Sequence, residues 1–68
     1  HNLLLKPTIL GRVNLGAHSS VWYGATLIGT KGIDIGNFSI IQDRSHLSNQ
    51  VKIGDHVFVG PNCVIQGS

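Results

Sequence analysis

Cysteine occurs once in these 68 residues, so no internal disulfide framework can hold the chain together. Charge is scarce as well: Asp, Glu, Lys and Arg make up 12% of the residues, against about 25% in ordinary domains. With 41% hydrophobic residues, that scarcity points to faces covered by something else. Lys6, Arg12, Lys31, Arg44 and Lys52 are scattered among Asp34, Asp43 and Asp55, and no basic stripe marks a nucleic-acid partner. No apolar run approaches the roughly 18 residues of a membrane-spanning helix. Methionine is absent, the chain opens at His1, and no signal or transit pattern is recognisable. The reading is a processed or partial piece of a longer protein. Its length allows one domain, residues 1–68, too short to bury a large core without staples or partners.

What the chain does have is a period. Aliphatic residues recur every sixth position at Ile9, Leu15, Val21, Leu27 and Ile33, and again at Ile35, Ile41, Leu47, Ile53, Val59 and Ile65. The two series are out of phase by the step from Ile33 to Ile35, and the intervening irregularity falls at Gly29-Thr30-Lys31-Gly32. Glycine follows the aliphatic at Gly16, Gly36, Gly54 and Gly60; four residues after it stand Val13, Ser19, Ala25, Ser39, Ser45, Val51, Val57 and Cys63. A six-residue period fits neither a helix face nor long strand alternation. It fits a coil that turns a corner every hexapeptide, three sides closing a triangular rung of about eighteen residues. The aliphatic points inward, the residue four places on packs near the corner and is limited in size, and the glycine relieves the bend, where unusual backbone angles are expected. Stacked rungs make parallel strands about 4.8 Å apart, with open edges at both ends that need continuation, capping or neighbours. The fold expected is all-β: a parallel β-helix of about four rungs, a triangular prism.

The stretch SSVWYGATLIGTKGIDIGNFSIIQD, Ser19 to Asp43, and the later IGDHVFVGPNCVIQGS resemble the gamma-class carbonic anhydrases. The Ser-Val-Trp-Tyr-Gly and Ile-Gln-Asp elements are more specific than the hexapeptide period, which many acyltransferases share. The resemblance implies a left-handed coil, a hand that spacing does not specify and that departs from the usual right-handed crossover. It implies a trimer with a zinc or iron ion at each interface, held by two histidines of one subunit and one of its neighbour. It places those ligands at Ser48, Pro61 and Gln66. A hydroxyl, a ring without a donor atom and a neutral carboxamide are not the imidazole, thiolate or carboxylate that zinc requires. The family's Arg-Gly-Asp is replaced too, with Ile28 and Thr30 in place of its charged residues. Gln42 and Asp43 are kept, and Arg44 is a candidate substitute partner for Asp43. The segment Ile28 to Ile35 is one residue short of the family pattern, and the connection from Asp43 to Ile53 lacks its usual longer loop. A slip of register there would put His46 in the place of Ser48, although one imidazole does not hold a catalytic zinc.

Other residues read more plainly. His1 is terminal; His18 and His56 fall three places after an aliphatic, where side chains leave the prism. Cys63, beside Val57 and Val51 in the corner series, reads as a buried inert thiol. Trp22 and Tyr23 read as interface fillers. Gly29 to Gly32 lacks the spacing and following helix of a phosphate loop and reads as the phase-shift turn. The resemblance then implies a catalytically inactive, carbonic-anhydrase-like structural subunit with no cofactor of its own, any zinc being left to partner subunits. Its partners would be two related prisms and membrane-arm subunits of respiratory complex I, on the matrix side of the mitochondrial inner membrane. The alternatives are an active metal-dependent carbonic anhydrase, a hexapeptide acyltransferase using His46, or a prism scaffold of the kind found in dynactin.

Overall fold

A computed structural model describes residues 2–67, so His1 lies outside the described residues. The hexapeptide period becomes eight strands: β1 (Leu3–Leu4), β2 (Thr8–Leu15), β3 (Ser20–Val21), β4 (Thr26–Ile35), β5 (Ile40–Ile41), β6 (His46–Ile53), β7 (Phe58–Val59) and β8 (Val64–Gln66). Every pairing is parallel and joins a strand to the next but one, giving one sheet β1-β3-β5-β7 and a second β2-β4-β6-β8. Each short strand forms one side of a rung, and each long strand turns at Gly11, Gly32 or Asn49, all at positive φ, to form the other two. Four strands per sheet make about four rungs of the expected β-helix, with overall extents of 26 × 19 × 17 Å.

Strand alternation sends one set of side chains into the prism, where they stack as columns. Leu4, Val21, Ile41 and Val59 form one column, Ile9, Leu27, Leu47 and Ile65 the second, and Leu15, Ile35 and Ile53 the third. Val21, Leu27, Ile41 and Leu47 are fully buried because a rung lies on either side of each. Burial of each such side chain is worth about 1.5–3 kcal/mol. In the lowest described rung the same columns are less covered, with Leu4 46% and Ile9 37% exposed.

Three expectations change. Ile33 is not the last member of the first core series: it is in register with Val13 and Val51, in the corner column, and the core series resumes at Ile35. The cause is the excursion Thr30-Lys31-Gly32, which stands opposite Arg12 alone in the rung below. Equivalent residues are 20 apart across it (Ala17 to Asn37) and 18 apart above it (Asn37 to Asp55). The corner series keeps small or branched side chains throughout, with Ser19, Ser39 and Val57 at one corner, Ala25, Ser45 and Cys63 at the second, and Val13, Ile33 and Val51 at the third.

The unusual backbone angles do not fall on the glycines that follow the core aliphatic. They fall two residues later, at His18, Phe38, Arg44, His56 and Asn62, all with φ between 56 and 58°, and at Gly24. A left-handed conformation costs a residue with a Cβ about 1–2 kcal/mol. It recurs because it aims each amide at the rung below: Phe38 N–H donates to Ala17 O, Arg44 N–H to Tyr23 O and His56 N–H to Asn37 O, each at 2.9 Å. Gly36 instead serves close approach, since a Cβ there would lie 2.7 Å from the Gly54 carbonyl group of the next rung.

Cys63 is half-buried, not buried, and lies in the uppermost described rung. Its column neighbour is Ser45, whose hydroxyl accepts from Cys63 N–H at 3.3 Å and donates to Gly60 O at 2.6 Å. Val57 and Val51 occupy the other two corners. Ser39 is built the same way, donating to Gly54 O at 2.6 Å and accepting from Val57 N–H at 3.1 Å. These hydroxyls satisfy corner backbone groups that the strand ladders leave unpaired.

Candidate functional site

Leu47 sits in the core between Leu27 and Ile65, so its neighbours His46 and Ser48 both leave the prism on the side formed by the first halves of β2, β4, β6 and β8. Two outward columns result. Thr8, Thr26, His46 and Val64 form one; Leu10, Ile28, Ser48 and Gln66 form the other. Ser48 and Gln66 are thus direct register partners on adjacent strands, with Ile28 beneath them. Ser48 is half-buried and Gln66 exposed.

Pro61 is elsewhere. It occupies the exposed corner between β7 and β8, one rung above Asp43, where Asn62 N–H donates to Asp43 O at 2.9 Å. That corner gathers the other positions singled out from the sequence. Leu5 and Trp22 N–H groups donate to Val21 and Ile41 carbonyls, and Gln42 N–H to Val59 O, which stacks Leu5, Trp22, Gln42 and Gly60 in a column. Tyr23, Asp43 and Pro61 follow as the next column around the bend. Trp22 is half-buried, with its indole N–H donating to Ser20 Oγ at 3.1 Å, while Tyr23 is 53% exposed. Trp22, Tyr23, Gln42 and Asp43 therefore form one block on two successive rungs. Arg44 does not serve Asp43: its Nε donates to Asn62 Oδ1 at 3.3 Å.

Charge is distributed by side. Arg12, Lys31, Asp34 and Lys52 lie on or beside the third face, where Asn14 Nδ2 donates to Asp34 Oδ1 at 2.8 Å and Asp34 pairs in register with Lys52. The outward columns of the other two faces hold no Lys, Arg, Asp or Glu. Leu3, Leu10, Phe58 and Val64 are 48–75% exposed there.

The side chains at the three ligand positions do not fit a zinc ion, which is bound by imidazole, thiolate or carboxylate. Among the described residues no group of three or more His, Cys, Asp or Glu side chains comes together. His46 keeps its own column beside Ser48; Leu47 holds it there. No pocket indents the described surface.

One feature escaped the reading of the sequence. The rings of His18, Phe38 and His56 stack along one corner, with centroids 5.1 Å apart at each step and interplanar angles of 13° and 3°. The signal was present: each falls three places after a core aliphatic, on successive rungs.

Residues 32–67 match a family described as bacterial transferase hexapeptide (six repeats). The chain belongs to the hexapeptide-repeat family. Within it, the similarity is to gamma carbonic anhydrases. A probable carbonic anhydrase of Methanocaldococcus jannaschii is 45% identical over 64 residues, covering 87% of this chain and 40% of the relative. Gamma carbonic anhydrase 1, mitochondrial, of Arabidopsis thaliana is 35% identical over 73 residues, covering 91% and 26%. An uncharacterised protein of Dictyostelium discoideum is 34% identical over 73 residues, covering 93% and 30%. The chain spans less than half the length of each of these hexapeptide-repeat relatives. No solved structure matches it.

Proposed function

We propose that this hexapeptide-repeat chain is a gamma carbonic anhydrase-like structural subunit that assembles with two related prisms and has no anhydrase activity of its own. The observation carrying this is the column Leu10–Ile28–Ser48–Gln66. Its register is regular, its core partners are in place, and none of its outward side chains is a competent metal ligand. Two prism faces without formal charge support assembly, since a face of that composition is better matched to another protein surface than to water. Trp22 and Tyr23, at the corner between those faces, supply the aromatic area that interfaces favour.

The setting proposed is the matrix side of the mitochondrial inner membrane, in contact with membrane-arm subunits of complex I. It is supported by the similarity to Arabidopsis proteins named as mitochondrial. Purification of the native protein from membranes tests it: respiratory subunits in stoichiometric amounts are expected, and a motor-complex partner set would reject the setting.

The second reading is an active anhydrase, favoured by the similarity to relatives named as carbonic anhydrases. Carbon dioxide hydration by an assembly of this chain alone, with stoichiometric zinc, would establish it. The expected result is neither hydration nor retained metal.

A further inference from the structure

The excursion Thr30-Lys31-Gly32 changes what Arg12 faces. Gly11 pairs with Gly29 and Val13 with Ile33, so Arg12 alone stands opposite the three excursion residues of the next rung. Arg12, Thr30 and Lys31 are all exposed. Gly32 holds φ at 112°, and the Arg12 guanidinium lies against it, with Nε 3.5 Å and Nη2 3.8 Å from where a Cβ would stand. A guanidinium, an ammonium and a hydroxyl are thus carried by side chains that start from one corner.

No acid answers them there. Asp34 is the next acid along the chain, and it already accepts from Asn14 Nδ2 and stands in register with Lys52. Asp55 Oδ1 accepts from Asn37 N–H, and Asp43 follows β5 at a different corner. Among the described residues the side chains of Arg12, Thr30 and Lys31 have no hydrogen-bond or ion-pair partner. Like charges that face each other across neighbouring strands are destabilising. The corner therefore carries a repulsion that one anion would relieve, and it offers that anion only donors.

We infer that this corner binds a small phosphate-bearing molecule through its phosphate dianion. A carboxylate, with one charge and two oxygens, is satisfied by a guanidinium alone. A terminal phosphate brings close to two charges and three acceptor oxygens. That set matches the fork of Arg12, the ammonium of Lys31 and the hydroxyl of Thr30. The donors are side chains on two adjacent strands, so the site needs no helix. A lipid headgroup layer fits less well, because such surfaces are held by clusters of about 4–8 cations and this corner has two. The site is built within one prism and does not depend on the trimer proposed above.

The test titrates inorganic phosphate into the full nitrogen-labelled chain at constant ionic strength. NMR follows the Arg12 Nε–H and the amides of Thr30, Lys31 and Gly32. Saturable shifts confined to this corner are expected. Arg12→Gln and Lys31→Gln should each weaken association about three- to fivefold. Excision of Thr30 and Lys31 should abolish it, and Lys6→Gln, at another corner, should leave it unchanged. Acetate should bind less tightly than phosphate, and vesicles of phosphatidylcholine with phosphatidylglycerol should not be retained. Unsaturable drift, an equal loss in Lys6→Gln, or phosphate binding that survives the excision would overturn the inference. Acetate binding as tight as phosphate, or vesicle capture lost on excision, would overturn the choice of ligand. If Arg12→Gln does not fold, Arg12→Lys replaces it; it keeps the charge but loses the fork, and affinity equal to the parent would remove Arg12 from the site.

Discussion

Replacing Phe38 isolates what the ring ladder contributes. Phe38 is 51% exposed, and its ring stacks on His18 below and His56 above, at 5.1 Å on both sides. Aromatic contacts are worth about 0.5–1.5 kcal/mol each; with half the ring in water, the two together should supply about 1–2 kcal/mol. The backbone contributes with the opposite sign. Phe38 holds φ at 57°, and any residue with a Cβ spends about 1 kcal/mol there that glycine does not. Phe38→Ala loses the stack and keeps the backbone cost; Phe38→Gly loses the stack and sheds the cost. Alanine is therefore expected to destabilise by about 1–2 kcal/mol, and glycine by about 1 kcal/mol less than alanine. That order reverses the usual one, in which glycine is the worse residue inside regular structure. Urea unfolding followed by the fluorescence of Trp22, the sole tryptophan, measures both. Glycine as damaging as alanine would refute the backbone reasoning, and an alanine variant within about 0.3 kcal/mol of the parent would refute the ladder.

Gly36→Ala drives a methyl against the Gly54 carbonyl and should cost about 1–3 kcal/mol, whereas Gly54→Ala, which meets only Val57 Cγ2 at 3.9 Å, should fall within about 0.5 kcal/mol. Thermal unfolding of the pair checks the contrast. Ser39→Ala strands both Gly54 O and Val57 N–H and should cost about 1–3 kcal/mol. Ser19→Ala loses the bond to Gly16 O and should cost less under the same denaturant titration. Excising Thr30 and Lys31, both exposed, should leave the circular dichroism spectrum intact and shift stability by less than about 1 kcal/mol.

Much of the architecture was legible because the core repeats. Val21, Leu27, Ile41 and Leu47 are inward for the same reason, and the period alone exposes it. Errors arose where one residue's role depends on a rung far away in sequence. Spacing showed a phase break near Gly29 to Gly32, but not which side of it Ile33 belongs to, because only pairing with Val13 and Val51 decides that. Spacing showed glycine after the aliphatic, but its reason is a backbone group a whole rung ahead. At the candidate site the residue types at Ser48, Pro61 and Gln66 could be read from the resemblance, while their division between a face and a corner could not. The preference of Arg44 for Asn62 over its neighbour Asp43 is likewise set by stacking.

The Thr30-Lys31 excursion carries a wider lesson about how such a chain tolerates change. Below it and above it the strands re-enter register, and Ile33, Asp34 and Ile35 still find Val51, Lys52 and Ile53. Insertions confined to that corner leave every column where it was, so the prism's length is counted in rungs and not in residues. A foreign peptide grafted between Thr30 and Lys31 would be held at a known height and azimuth on a rigid post. That makes this corner a natural display position for an epitope or a tether.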